Sequence, residues 1–228
     1  MRAIRYSAIF LVRAGAARNV GRGVLVMIAG NGDGALKWKT LSSRETYRCG
    51  VFTVHERRSQ GPDGRVGTFS VLSAKDWAVV VPYVRNPDGD SFLMVRQYRH
   101  GADHVSLEFP GGVVEPGEDP LHAASRELSE ETGWISDTIL HAGTVFPNPA
   151  IQDNCFHVFV ALDPRPAVAR NLDEHEIIDA HLMPAEEIRR AMGEGEMRHA
   201  LMVTALFLAE RLLTGLRGSD TSLSAQRA

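Results

Sequence analysis

The chain has 228 residues, enough for one large domain or one domain with an extension. Its 44% apolar and 23% charged residues suit a soluble globular protein, and a formal net charge of −3 gives no positive field to hold nucleic acid. No apolar run reaches the roughly 18 residues of a membrane span, and the only cysteines, Cys49 and Cys155, make neither a CxxC pair nor a disulfide framework, so a cytoplasmic setting is expected.

Residues 1–35 read as a poorly ordered extension. Its first 32 residues hold five arginines and no acid, and setting them aside takes the remaining chain from −3 to −8. The glycines of Gly30-Asn31-Gly32-Asp33-Gly34 read as a linker, because no buried strand and helix frame them. Residues 36–76 read as an N-terminal β extension. Strands are predicted at Val51 to Glu56 and Gly67 to Leu72, joined through the turn Pro62-Asp63-Gly64.

The main domain is predicted over 77–216. Trp77 to Val84 is β-branched and apolar, as a buried central strand requires. Asn86-Pro87-Asp88-Gly89 turns the chain into a hairpin partner at Ser91 to Gln97, and Val105 to Phe109 is short and extended. Asp119 to Gly133 has the marks of a helix: a capping aspartate, Pro120 in the first turn and a glycine for the left-handed position past the end. Strands follow at Ile139 to Phe146, Cys155 to Leu162 and Ile177 to Met183. Helices are predicted at Pro184 to Met192 and Glu196 to Thr214. On the second, Leu201, Ala205, Leu208 and Leu212 make an apolar face that seals the body. The tail 217–228 is serine-rich and is expected to be disordered. Strands and helices mixed without strict alternation give an α/β (α+β) class, a mixed sheet with helices on both faces.

The chemistry concentrates in Gly111 to Trp134, GGVVEPGEDPLHAASRELSEETGW. On its helix, Glu127, Glu130 and Glu131 fall within about 100° of arc. Leu121, Ala124 and Leu128 form the neighbouring apolar stripe. Like charges at this spacing repel, a cost that a divalent cation among them would offset. Magnesium is the hard cation that favours carboxylate oxygens and phosphates. Arg126, four residues before Glu130, is placed to orient it.

The spacing itself is specific. Gly112, five residues, Glu118, seven residues, Arg126-Glu127-Leu128, one residue, Glu130-Glu131, one residue, Gly133 and Trp134 resembles the Nudix box at every fixed position. Trp134 departs in size from the smaller aliphatic residue of the family but remains apolar. Gln97-Tyr98-Arg99, the lead-in Leu107-Glu108-Phe109-Pro110-Gly111-Gly112 and Pro149, sixteen residues after Gly133, are similar to the branch of ADP-ribose pyrophosphatases and nucleotide-sugar hydrolases. The segment Asn148 to Gln152 lacks the glycine that this branch often carries there.

The resemblance, over roughly Trp38 to Leu213, implies a Nudix α/β/α sandwich with an N-terminal antiparallel hairpin. It implies Glu127, Glu130, Glu131 and the Gly111 carbonyl as magnesium ligands, with manganese able to substitute. Glu130 would be a further ligand or orient the nucleophilic water, Arg126 would be a structural clamp, and Arg99 would contact the diphosphate. Glu108 and Glu115 are expected near substrate or metal, Glu115 helping to position either. A glutamate from a later loop is expected to assist water activation, Glu176 first and Glu174 second. The family also implies a homodimer that shares the hairpin, with Phe52 or Tyr47 stacking on a base.

The expected activity is cleavage of ADP-ribose or a similar nucleotide sugar to a nucleoside monophosphate and a sugar phosphate. The alternatives are another nucleoside diphosphate derivative, such as GDP-mannose or a dinucleotide, and a non-catalytic nucleotide-sugar sensor. No GxSxG, GxxxxGK[ST] or HExxH motif points to other chemistry.

Overall fold

A computed structural model describes residues 33–172 and 176–225, with side chains to 217. The arginine-rich arm to residue 32, Glu174 and the last three residues therefore lie outside the described residues. The chain divides into two units at Lys37/Trp38. In the first, Asp33–Ala35 forms one turn of 3-10 helix.

The second unit opens with a three-stranded antiparallel sheet, β1 (Lys39–Arg48), β2 (Phe52–Gln60) and β3 (Val66–Ala74), in that order. The expected hairpin is its β2–β3 half. The added strand β1 pairs along β2 with irregularities at Thr40/Ser42 and Glu45/Tyr47. Every residue of β1 is exposed, so it carries no in-out alternation to mark it as a strand.

The main sheet follows. It comprises β4 (Trp77–Val84), β5 (Ser91–Arg99), β6 (His104–Glu108), β7 (Gly111–Val113), β9 (Thr138–Val145), β10 (Phe156–Leu162) and β12 (Asp179–Pro184). Its main path is β12-β5-β4-β10-β9, with β4 and β10 parallel and the other neighbours antiparallel. Two short strands, β8 (Trp134–Ile135) and β11 (Arg165–Pro166), pair apart from it.

β4 and β5 pair only at their turn end, Tyr83 with Phe92 and Val84 with Ser91. Beyond it they separate, β6 pairing with β5 and β7 with β4. The opening is held by Val80, whose N–H donates to the Pro110 carbonyl at 2.9 Å. It brings the Gly111 backbone beside Val79.

Alternation along the central strands divides two cores. Val79 and Val81 join Phe92, Met94, Val158 and Val160 on the face covered by α2 (Ala185–Ala191) and α3 (Ala200–Ala225). Ala78 and Val80 join Leu93, Phe159 and Ala161 under α1 (Pro120–Thr132), through Ala123, Ala124 and Leu128. Leu121, expected in that stripe, is 37% exposed, and Ala123 takes its place against the sheet. On α3, Ala205 and Leu208 are buried and Leu201 and Leu212 pack against them. α3 extends past Thr214, and Arg217, expected in the disordered tail, donates to Asp90 at 2.7 Å and to the Tyr83 hydroxyl. Among the described residues no helix is long and apolar enough to cross a membrane.

Candidate active site

Helix α1 begins and ends where local chemistry dictates. Asp119 Oδ1 accepts from the Leu121 N–H at 2.8 Å, and Pro120 occupies the first turn without wasting a donor. Gly133 ends the helix at φ 76°, its N–H donating to Ser129. A Cβ there would stand 2.6 Å from the Val168 carbonyl, so the glycine is required by space as well as by φ.

With its ends fixed, α1 turns Glu127 and Glu131 inward. The two residues are 9% and 2% exposed. Burial raises the Glu127 carboxyl above its ordinary range, against the pull of Arg126. Burial raises Glu131 further, and the charge of Glu127 adds to it. Glu131 Oε2 accepts from the Gly111 N–H at 3.0 Å, joining α1 to β7.

Arg126 holds the remaining acids. Its Nη1 donates to Glu127 and Glu130, each at 2.9 Å, and its Nε and Nη2 reach Glu118 at 3.0 and 3.2 Å. Nη2 also donates to the Val113 carbonyl. The hydrogen bonds to Glu118 are the leading cause of its raised pKa, so Arg126 has no proton to offer as an acid. The pairing with Glu130 was legible from the four-residue spacing; that with Glu118, eight residues earlier, depends on the loop folding back.

Arg99, at the end of β5, donates through Nε and Nη2 to both oxygens of Glu108, at 2.8 and 2.7 Å. The Glu108 side chain is 1% exposed and that of Arg99 42%. Glu108, expected to bind substrate, lies beneath Arg99 and anchors it. Glu115 is exposed and pairs with Lys75 at 2.6 Å, a partner the motif did not indicate. Glu176 is exposed, and its charge adds to the raising of the Glu127 and Glu131 carboxyls and of Arg99. Phe52 lies on β2 with its ring 6.5 Å from that of Tyr47.

The donor set suits a hard divalent cation. Two inward carboxylates, desolvated and repelling one another, lower their energy by sharing a positive charge. Space is kept for it at Gly112, where a Cβ would stand 2.4 Å from Glu127 Oε1 and crowd that carboxylate.

Comparison with known proteins agrees with this geometry. The NUDIX domain family matches residues 74–204. The ADP-ribose pyrophosphatase of Bacillus subtilis (strain 168) is 24% identical over 177 residues, covering 75% of this chain and 92% of that protein. The ADP compounds hydrolase NudE of Escherichia coli (strain K12) is 27% identical over 184 residues, covering 79% and 96%. A crystal structure of an ADP compounds hydrolase shares the fold with a TM-score of 0.68 at 24% identity, covering 79% of this chain and 96% of its own. With Glu127, Glu130, Glu131 and Arg126 gathered on α1 and the family match spanning more than half of the chain, this chain belongs to the Nudix family.

Proposed function

We propose that this Nudix hydrolase cleaves the diphosphate of ADP-ribose or a similar nucleotide sugar, giving a nucleoside monophosphate and a sugar phosphate, with magnesium as its cation and manganese able to replace it. The observation that carries the reading is the buried pair Glu127 and Glu131 beside an anchored, half-exposed Arg99. The names of the Bacillus subtilis and Escherichia coli relatives support the substrate class.

Glu127, Glu131 and the Gly111 carbonyl hold the cation, with Glu130 as a further ligand or as the group that orients water. Bound there, magnesium supplies neutralisation of the phosphate oxygens and acidification of water. The protein contributes position and charge. Arg99, fixed by Glu108, binds the anionic diphosphate. Arg126 fixes the headings of Glu127 and Glu130. Glu176 accepts the proton of the attacking water, with Glu174 of the same loop as the second choice. Water oxygen bonds to one phosphorus, the bridging P–O bond breaks, and the leaving phosphate departs as a monoester. Glu115 steadies the rim through Lys75.

A homodimer fits the same reading. The three-stranded sheet exposes Leu41, Tyr47 and Phe69, and a second subunit covering it would bring Phe52 or Tyr47 to a base. Residues 36–76 serve as the dimer element and 77–216 as the catalytic domain, with α3 continuing beyond it. The two free cysteines accord with a cytoplasmic setting.

The test is phosphate release from ADP-ribose, GDP-mannose and a dinucleotide, with magnesium and a phosphomonoesterase that attacks only the products. ADP-ribose should give signal that is lost in chelator. Glu131→Gln should lower it by more than about 100-fold, since even changes one shell beyond a metal cost about 10–100-fold. Preference for another compound would overturn the substrate. Binding without turnover by the wild type would instead make the chain a sensor.

A further inference from the structure

Outside the box residues themselves, Asp76, Cys155 and His157 place a carboxylate oxygen, a thiol sulfur and an imidazole nitrogen within 4.8 Å of one another. We propose that these three side chains form a second metal site, for one zinc-class transition-metal dication, distinct from the magnesium site on α1.

The fold assembles the triad from strands that are neighbours only in space. Cys155 and His157, two apart at the start of β10, share one face of that strand. It is the face that carries Phe159 and Ala161 toward α1. Asp76 precedes β4, the parallel neighbour, where Trp77 pairs with Phe156. Its Oδ1 is already aimed by the Cys155 N–H at 2.7 Å, and its Oδ2 faces His157 Nε2 at 3.3 Å. That span is long for a charge-assisted hydrogen bond. It is close to the roughly 3.3 Å that nitrogen and oxygen keep when both sit about 2.0–2.1 Å from one tetrahedral zinc. The cysteine needs a shift of at most about 1.3 Å to reach the roughly 3.5 Å sulfur–nitrogen separation of such a site.

The histidine is supported from behind, as metal-bound imidazoles are. His157 Nδ1 lies 3.0 Å from Thr144 Oγ1, which lies 3.0 Å from His141 Nε2. With Nδ1 donating to Thr144 and Thr144 donating to His141, the Nε2 lone pair is turned toward Asp76, where a cation belongs. Beside the triad, Asn154 is 2% exposed and holds the Lys75 carbonyl through Nδ2. Its Oδ1 is a buried side-chain acceptor with no hydrogen-bond partner, among the described residues.

Thiol and imidazole donors select zinc or cobalt over magnesium, whose preference is for oxygen. The two sites are also separate. The Asp76 carboxylate turns to Cys155 and His157 at the start of β10, whereas Glu127 and Glu131 lie against Gly112 and Gly111 of β7. A dication at the triad would clamp the starts of β4 and β10. It would also secure the segment through which Leu72 of β3 pairs with Gln152 and Ser73 bonds Asp153.

The full chain, stripped by chelator, would be titrated with cobalt(II) and followed by absorption. The expected result is a thiolate-to-cobalt charge-transfer band, bleached by zinc. It should be lost in Cys155→Ser, weakened in His157→Gln, and intact in Cys49→Ser and Glu127→Gln. No band, or a band that follows Cys49, overturns the site. If Cys155→Ser does not fold, alkylation of the wild type decides. Zinc should slow labelling of Cys155 at least about tenfold, because the liganded thiolate is no longer the nucleophile, and leave Cys49 unchanged. Equal labelling of Cys155 with and without zinc overturns the proposal.

Discussion

At the scale of single residues, the informative pair is Arg99 and Glu108. Burial is the largest single influence and raises the Glu108 carboxyl, but the hydrogen bonds and charge of Arg99, with Ser106 and His199, together hold the group below its ordinary range. The arginine thus has two duties, compensating a buried charge below and offering charge above. Arg99→Met should destabilise the protein by about 3–5 kcal/mol, the cost of leaving one member of a buried pair alone. Adding Glu108→Gln should recover part of that loss in urea unfolding while hydrolysis stays impaired. Recovery of activity along with stability would show that Arg99 does not touch the diphosphate. The sequence offered Glu108 as a polar residue in a familiar lead-in. Its anchoring role was not legible, because the β5–β6 register sets Glu108 opposite Val95, four residues back from Arg99, and the arginine reaches it only in the folded hairpin. Glu176 lies between these cases, expected from its loop and close enough for its charge to act on Glu127 and Glu131. Glu176→Gln should lower kcat by about 10²–10⁴-fold, the usual value of a general base, with KM little changed. A loss confined to KM would assign it to binding instead.

Among the elements, β7 separates two adjacent glycines that the motif treats alike. A Cβ at Gly111 would meet the Ala78 carbonyl at 2.5 Å and Val79 Cα at 2.7 Å, both backbone of β4. At Gly112 the three nearest atoms it would meet all belong to the Glu127 carboxylate. Gly111→Ala should therefore lower the melting temperature, because strand pairing must give way. Gly112→Ala should keep the fold and weaken magnesium activation, because a side chain can swing aside but no longer as a ligand. Equal melting points for the two variants would contradict this division. α1 was readable because its cap, first-turn proline and terminal glycine act within a few residues of themselves. β4 was readable to the residue from its continuous apolar run. β1 escaped because its ten residues, KTLSSRETYR, lie exposed on both faces and bury no alternating stripe. The separation of β4 from β5 also escaped, since partner choice at Gly111 is settled 32 residues away at Val79. The box was legible as spacing, but not the reach of Arg126 to Glu118, which needs the Glu115 turn to close through the Glu118 carboxylate on the Glu115 N–H.

For the whole molecule, the buried acids couple folding to both pH and metal. Glu127 and Glu131 titrate above the ordinary carboxylate value of 4.5, chiefly because burial disfavours their charged forms. Between that value and their raised ones, the folded chain holds more protons than the unfolded chain. The slope of unfolding free energy with pH is then negative. Without metal, stability should be greatest on the acid side of this window and fall as pH rises through it, opposite to the loss on acidification that ion-paired carboxylates such as Asp163 with Arg85 impose. Magnesium binds the folded state and its ionised acids, so it should stabilise more as pH rises. Glu131→Gln removes the larger burden. In chelator above neutral pH it should melt higher than the wild type, while losing hydrolysis and most of the stabilisation by magnesium. Melting curves from about pH 5 to 8, with chelator and with magnesium, would read all of these effects. A Glu131→Gln variant no more stable than the wild type in chelator would mean that this carboxyl carries no desolvation penalty. Activity and stability would then have been set by different residues, whereas a higher melting point would show that the fold gives up stability at Glu131 to keep a charge where the cation binds.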